Sequence, residues 1–221
     1  MKDKKIFIGI LLLVVFIIWT ILIMIIDVQP IGAKGTDVGF AGFNSWIHSL
    51  TGVHMTLYTI TDWLGLIPIC VCFLFAGIGV WQLATKKQLL KVDHDIILLG
   101  AYYILVIVCY LIFEIYPINY RPILIEGALE ASYPSSTTLL VLSIMPTLTF
   151  QIRRRMQHSA VRKIIIALIE IFSLIMVVAR LISGVHWCTD IIGAILLSVG
   201  LLDVYKGLVL YYDTNKNVME T

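Results

Sequence analysis

The chain has 221 residues, 60% of them hydrophobic and only 14% charged, with a formal net charge of +2. A water-soluble domain of this length cannot hide so much apolar side chain, whereas a bilayer can, and no nucleic-acid partner is expected. The four cysteines suggest no disulfide framework, since Cys70, Cys72 and Cys109 fall inside apolar runs and Cys188 has no evident partner.

Lys2, Lys4 and Lys5 precede an apolar run from Ile6 to about Ile26. The run is too long for a secretory signal, and no small-x-small cleavage site follows in Val28-Gln29-Pro30-Ile31-Gly32, so an uncleaved anchor is expected. Residues 28–60 are glycine-rich and less apolar, and read as an outer loop with a short amphipathic helix near Phe43 to Leu50 on the interface. A second span is predicted from about Trp63 to Leu83, closed by Lys86, Lys87 and Lys91, and a third from about Ile96 to Tyr116, ended by Pro117. Residues 117–136 are polar and irregular. The fourth span, about Thr137 to Ile152, is short and ends against Arg153, Arg154 and Arg155; the fifth runs from about Ile164 to Leu181 and the sixth from about Asp190 to Leu210.

Each run approaches the ~20 residues needed to cross the hydrocarbon core. Helices are the open-ended structures that satisfy every backbone polar group within the segment. The expected fold is therefore all-α: a polytopic bundle of six transmembrane helices forming one integral membrane domain over residues 1–221.

Basic residues are distributed unevenly between the connections. Lys2, Lys4 and Lys5, then Lys86, Lys87 and Lys91, then Arg153, Arg154, Arg155, Arg162 and Lys163, and finally Lys216 all fall on one side. The other side carries Lys34, Arg121 and Arg180. The positive-inside rule places both termini in the cytoplasm and brings Arg121 and Arg180 together at the extracytoplasmic face, in a multi-pass protein of the plasma membrane.

Three segments should converge there: Tyr120-Arg121-Pro122, then Pro134-Ser135-Ser136-Thr137 at the start of the fourth span, then Arg180 with His186 and Asp190. A helix N-terminus opened by Ser and Thr offers free N–H groups to an anion. Two guanidiniums add planar donors matched to phosphate oxygens. His186 has the chemistry to attack phosphorus, with Asp190 holding its other ring nitrogen.

In these motifs the chain resembles the PAP2 family (type 2 phosphatidic acid phosphatases), whose signature is K-x6-R-P, then P-S-G-H, then S-R-x5-H-x3-D. The likeness covers about residues 96–210. Arg180, His186 and Asp190 keep the third motif's spacing, with Ala179 for its leading Ser. Arg121-Pro122 keeps the end of the first, with Glu114 where the family has Lys. Pro134-Ser135 keeps the start of the second, with Ser136 and Thr137 for Gly and His.

The resemblance implies a membrane lipid phosphatase or diphosphatase in which His186 forms a phosphohistidine and Asp190 is its partner. Arg121, Ser135 and Arg180 would hold the phosphate, joined by Ser136 and Thr137 at the open start of the fourth span, and no metal or other cofactor is expected. The family's second-motif histidine would protonate the leaving oxygen, which Thr137 cannot do at neutral pH. General acid catalysis is worth roughly 10²–10⁴-fold. An alkoxide needs that proton, whereas a phosphate monoester, with a second pKa of about 6, departs largely unaided. The substitution therefore favours lipid diphosphates of the polyprenyl type, such as undecaprenyl diphosphate.

Glu114 either repels a multiply charged anion or turns aside to pair with Arg121. Glu126 and Glu130 read as solvated loop charges, His48 and His54 as interface residues, and Glu170 and Asp203 as carboxylates that find polar partners between helices. Two other functions compete with the leading one: a non-catalytic binder of lipid phosphates, and a phosphotransferase that resolves the phosphohistidine with an acceptor hydroxyl.

Overall fold

The computed structural model describes residues 2–219; residues 1 and 220–221 lie outside it. Eight α-helices follow one another among the described residues: α1 Lys2–Ile25, α2 Ala41–Thr51, α3 Met55–Leu64, α4 Leu66–Lys86, α5 His94–Ile115, α6 Ser136–Arg155, α7 Ala160–Ile182 and α8 Cys188–Met219. The all-α expectation holds: no β-sheet forms among these residues, which contain only isolated antiparallel bridges in the connections.

Five stretches are long and apolar enough to cross a bilayer: α1, α3 with α4, α5, α7 and α8. Their outer faces carry exposed large apolar side chains, among them Phe7, Leu74, Ile104 and Leu168, as expected of helices whose solvent is lipid.

The expected fourth span is present as the helix α6, but it lacks the apolarity of the others. Its polar residues Thr137, Thr138, Ser143, Thr147, Thr149 and Gln151 are buried, because α6 is packed against α4, α5, α7 and α8 and meets protein rather than lipid. Thr147 shares a 2.7 Å hydrogen bond with Tyr103, and Gln151 Nε2 donates to Tyr205 at 3.0 Å.

A second difference lies in the outer loop. The amphipathic helix expected near Phe43 to Leu50 is α2, but the chain becomes helical again at Met55, well before the expected second span, and Trp63 closes α3 rather than opening α4. Gly65 joins the two helices, donating its N–H to the carbonyls of Thr61 and Asp62 at 3.0 Å. This early turn of helix carries Tyr58, Thr61 and Asp62 to the end of α7.

The tightest pairing joins α1 and α8, and small residues permit it. A Cβ on Gly9 would lie 2.8 Å from the Gly200 carbonyl oxygen, and one on Gly207 would lie 2.5 Å from Ile6 Cγ1. Glycines at these positions let two backbones touch, which is the main source of helix attraction where both solvent and side chains are apolar. At one end of this pair Lys5 bridges Asp203 at 3.0 Å; nearby Arg153 pairs with Glu170 at 3.3 Å. Both intraspan carboxylates thus have polar partners on other helices, as expected. At the other end Trp19 Nε1 donates to the Thr189 carbonyl at 3.2 Å, fixing the start of α8.

Candidate active site

His186 sits in the short loop between α7 and α8, and this loop has a demanding backbone. Gly184 has φ 68°, and a Cβ there would fall 1.8 Å from the Gly52 carbonyl oxygen, so both its conformation and its surroundings require glycine. The loop is pinned from three directions. The N–H of His54 donates to the Ser183 carbonyl at 3.0 Å, His48 Nε2 meets the Gly184 carbonyl at 3.1 Å, and Trp187 Nε1 donates to the Tyr120 carbonyl at 2.8 Å. His48 and His54 therefore hold the site loop in place.

The imidazole of His186 is buried, with 3% of its surface exposed. Its Nδ1 lies 3.1 Å from the Ser132 carbonyl oxygen, which can only accept, so the proton is on Nδ1 and the lone pair on Nε2. Nε2 has no partner among the described residues. Burial pushes the histidine pKa down to about 4; Asp190 opposes that shift, and the nearby charges of Arg121 and Arg180 add to it. The ring is thus neutral and nucleophilic across the physiological range.

Asp190 departs from its expected role as the direct hydrogen-bond partner of His186. Its Oδ2 lies 3.8 Å from His186 Nδ1, beyond hydrogen-bond distance, and instead accepts the Trp187 N–H at 2.9 Å, while Oδ1 accepts from Asn119 Nδ2 at 3.2 Å. The reason is local: Asp190 stands in the first turn of α8 and reaches back to the N–H just before the helix, as half of a capping box does. The Ser132 carbonyl orients the ring, and the carboxylate stands beside it as a fixed negative charge.

Ser132 and the first arginine come from a connection that looks irregular in sequence but is paired in the structure. Tyr120 bridges Ala131 antiparallel; the Arg121 N–H donates to the Glu130 carbonyl at 3.1 Å, and the Ser132 N–H to the Asn119 carbonyl at 2.9 Å. Asn119 and Arg121 on one leg, and Glu130 and Ser132 on the other, thus alternate to one face. That register supplies four site residues from one loop.

The two guanidiniums meet over a shared ring. Arg180 Cζ lies 4.6 Å and Arg121 Cζ 5.7 Å from the centroid of Tyr58. Arg180 donates through Nη1 to Thr61 Oγ1 at 3.0 Å and to the Tyr58 carbonyl at 3.3 Å, and its Nη2 stands 3.7 Å from Asp62; its Nε is buried with no partner. Arg121 Nε stands 3.1 Å from Glu130 Oε2 as a charge contact without hydrogen-bond alignment, and Nη1 is buried and unpartnered.

Glu130 is therefore a partner of the site rather than a solvated charge, and Arg121 takes its carboxylate from Glu130, not from Glu114. Glu114 and Glu130 instead line a polar cavity of about 250 Å³ with Tyr110, Arg121, Ser132 and Ser136.

The second-motif residues divide. Ser136 lines the cavity beside Arg121. Thr137 is buried in the first turn of α6, which has no side-chain cap, so the first N–H groups of that helix stay open. Ser135, expected to contact the phosphate, is engaged within the protein. Its hydroxyl donates to Thr138 Oγ1 at 3.1 Å and its N–H to the Asp190 carbonyl at 3.2 Å. As the residue preceding α6, Ser135 is used to tie that helix to the start of α8.

Besides Arg121 Nε, which has only its charge contact with Glu130, four buried polar atoms around the imidazole have no partner among the described residues: Arg121 Nη1, Arg180 Nε, His186 Nε2 and the Ser132 hydroxyl. Each such group costs about 1–3 kcal/mol when left unmet. Three are donors or can donate, and one is a lone pair, which suits a tetrahedral anion gripped by the guanidiniums and approached by nitrogen.

Sequence reasoning missed Tyr58, Thr61, Asp62, Asn119 and Ser132. Tyr58, Thr61 and Asp62 share one helical face by their spacing, a detectable signal. Ser132 acts through its carbonyl, which carries no side-chain signature.

Comparison with known proteins gives a family and a fold. The family model described as PAP2 superfamily matches residues 70–213. In fold the chain is similar to the crystal structure of a transmembrane PAP2-type phosphatidylglycerolphosphate phosphatase from Bacillus subtilis, with a TM-score of 0.64 and 16% sequence identity over 90% of this chain and 94% of that one. No curated protein sequence matches the chain.

Proposed function

Because the chain belongs to the PAP2 superfamily, we propose that this membrane protein hydrolyses a lipid phosphate through a phosphohistidine on His186, at a site on the extracytoplasmic side of the plasma membrane. The observation that carries this reading is the free Nε2 of a buried, neutral imidazole whose tautomer is set by the Ser132 carbonyl, beside two guanidiniums with unmet N–H groups.

In the first step the Nε2 lone pair bonds to phosphorus while the bond from phosphorus to the leaving oxygen breaks. Nδ1 keeps its proton on the Ser132 carbonyl, and the ring becomes cationic with Asp190 at 3.8 Å. Arg121 and Arg180 neutralise charge on the phosphoryl oxygens as it develops. Water then bonds to phosphorus, the bond to Nε2 breaks, and the proton of that water leaves with the product phosphate.

The favoured substrate is a polyprenyl-type diphosphate. Its support is chemical: Thr137 stands where the family pattern has a histidine and has no proton to give at neutral pH, while a lipid monophosphate leaves without one. Carboxylates stand beside both guanidiniums, Glu114 and Glu130 lining the cavity with Arg121 and Asp62 lying 3.7 Å from Arg180.

A phosphate-release panel tests both layers. Full-length protein is assayed against undecaprenyl diphosphate, phosphatidylglycerol phosphate and phosphatidic acid, with His186→Ala as control. Release from the diphosphate at least tenfold faster than from either monophosphate is expected. A faster monophosphate reaction overturns the substrate, and turnover surviving in His186→Ala overturns the mechanism.

A further inference from the structure

α6 is flanked by α7 and α8, which hardly touch each other. At the end of the bundle opposite His186 the gap between them forms a groove of about 360 Å³, lined by Lys5, Thr149, Phe150, Arg153, Glu170 and Lys206 among others. Lys206 lies eighteen residues beyond Cys188 along α8. That separation is about 27 Å at the helical rise, close to the thickness of the hydrocarbon core, so the groove opens at the far membrane boundary.

Its charges do not cancel. Lys5 and Arg153 are paired with Asp203 and Glu170, at 3.0 and 3.3 Å. Lys206 has no carboxylate within ion-pair distance among the described residues; its ammonium stands 6.0 Å from the Phe150 ring. On the groove floor Thr149 is 8% exposed and its hydroxyl is buried with no partner. Long basic side chains that merely reach toward the interface account for the lysines, but not for an idle buried hydroxyl beneath them. The missing component is an acceptor. Basic pockets between membrane helices supply such a place for lipid head groups, and the Phe150 and Ile169 walls of this groove suit an attached acyl chain.

We propose that this groove binds the phosphodiester of an anionic phospholipid from the leaflet opposite the active site. Lys206 supplies the uncancelled charge, and the Thr149 hydroxyl donates to a phosphate oxygen. Neither the family assignment nor the chemistry of His186 enters this inference.

The test uses the full chain in mild detergent, with native mass spectrometry to read retained lipid and thermal unfolding to read stabilisation. Phosphatidylglycerol should be retained and raise the unfolding midpoint, while phosphatidylcholine and inorganic phosphate at equal concentration should not. Lys206→Gln should weaken phosphatidylglycerol retention roughly fivefold, the equivalent of about 1 kcal/mol per interfacial cation. The near-isosteric Thr149→Val should also weaken it, and this variant carries the test if Lys206→Gln does not fold. Lys86→Gln, outside the groove, should change nothing. Equal retention of the two lipids overturns the proposal, as does indifference to both groove variants. Stabilisation by inorganic phosphate equal to that by phosphatidylglycerol also overturns it, assigning the groove to a free anion.

Discussion

Replacing His186 with glutamine removes the one group in the site loop whose proton affinity is strongly displaced, and the size of the effect follows from the displacement. Burial holds the folded pKa at about 4, against an ordinary value of about 6.5 in the unfolded chain. Between these values the unfolded state binds the extra proton, so stability rises with pH. The contribution is fully present above pH ~6.5 and is lost as pH falls toward ~4, amounting to about 2 kcal/mol between pH 7 and 5 and about 3 kcal/mol over the whole window. The groups facing the ring are Arg121, Arg180 and Asp190, and the carboxylate is held by Trp187 and Asn119. At roughly 2–4 °C per kcal/mol for a chain of this size, the wild type should lose about 4–8 °C more than His186→Gln on going from pH 7 to 5. Unfolding followed by the fluorescence of the five tryptophans reads this difference. Parallel pH curves for the two proteins would refute the reasoning. A wild type stabilised by acid would refute it more sharply, because Asp190 would then hold a protonated ring.

Two further substitutions test the supporting contacts. Asn119→Ala removes the 3.2 Å donor to a buried carboxylate and should cost about 1–3 kcal/mol in chemical denaturation while lowering kcat, whereas a purely structural asparagine would leave kcat alone. Thr61→Val removes the 3.0 Å acceptor that directs Arg180; KM should rise several-fold with kcat nearly kept, and an unchanged KM would show that Arg180 needs no guidance from α3.

The parts of the fold legible in sequence were those that depend on one-dimensional pattern. Apolar runs locate α1, α5, α7 and the start of α8 to within a few residues, because the cost of exposing backbone to lipid sets each length, whereas α8 continues nine residues past the expected Leu210, to Met219. α6 was recognisable only as a short run, since polar residues such as Thr147 and Gln151 break its apolarity and are met by tyrosines of other helices. The start of α3 was not legible, because Met55 to Leu64 mixes polar and apolar residues as a loop on the interface would. Within the site, Arg121, Arg180 and His186 were legible from charge placement and spacing. The division of labour between Asp190, Ser132 and Ser135 was not, because it is settled by which backbone groups lie nearest.

The packing of α1 on α8 bears on the chemistry as well as on the fold. Four idle polar atoms in one buried region, at about 1–3 kcal/mol each, weigh heavily against the 5–15 kcal/mol that typically holds a protein folded. Left free to relax, His186 Nε2 or the Ser132 hydroxyl would turn to accept from the guanidinium N–H groups or the open N–H groups of α6. Anchors outside the loop prevent this. Glycine contacts bring α1 against α8, Trp19 and Asn44 fix Thr189 at 3.2 Å each, and Ser135 ties α6 to Asp190. The start of α8 is thereby fixed independently of whatever occupies the site. An arriving phosphate satisfies donors that the scaffold keeps from satisfying themselves, so the rigidity of a helix pair distant in sequence becomes affinity at His186.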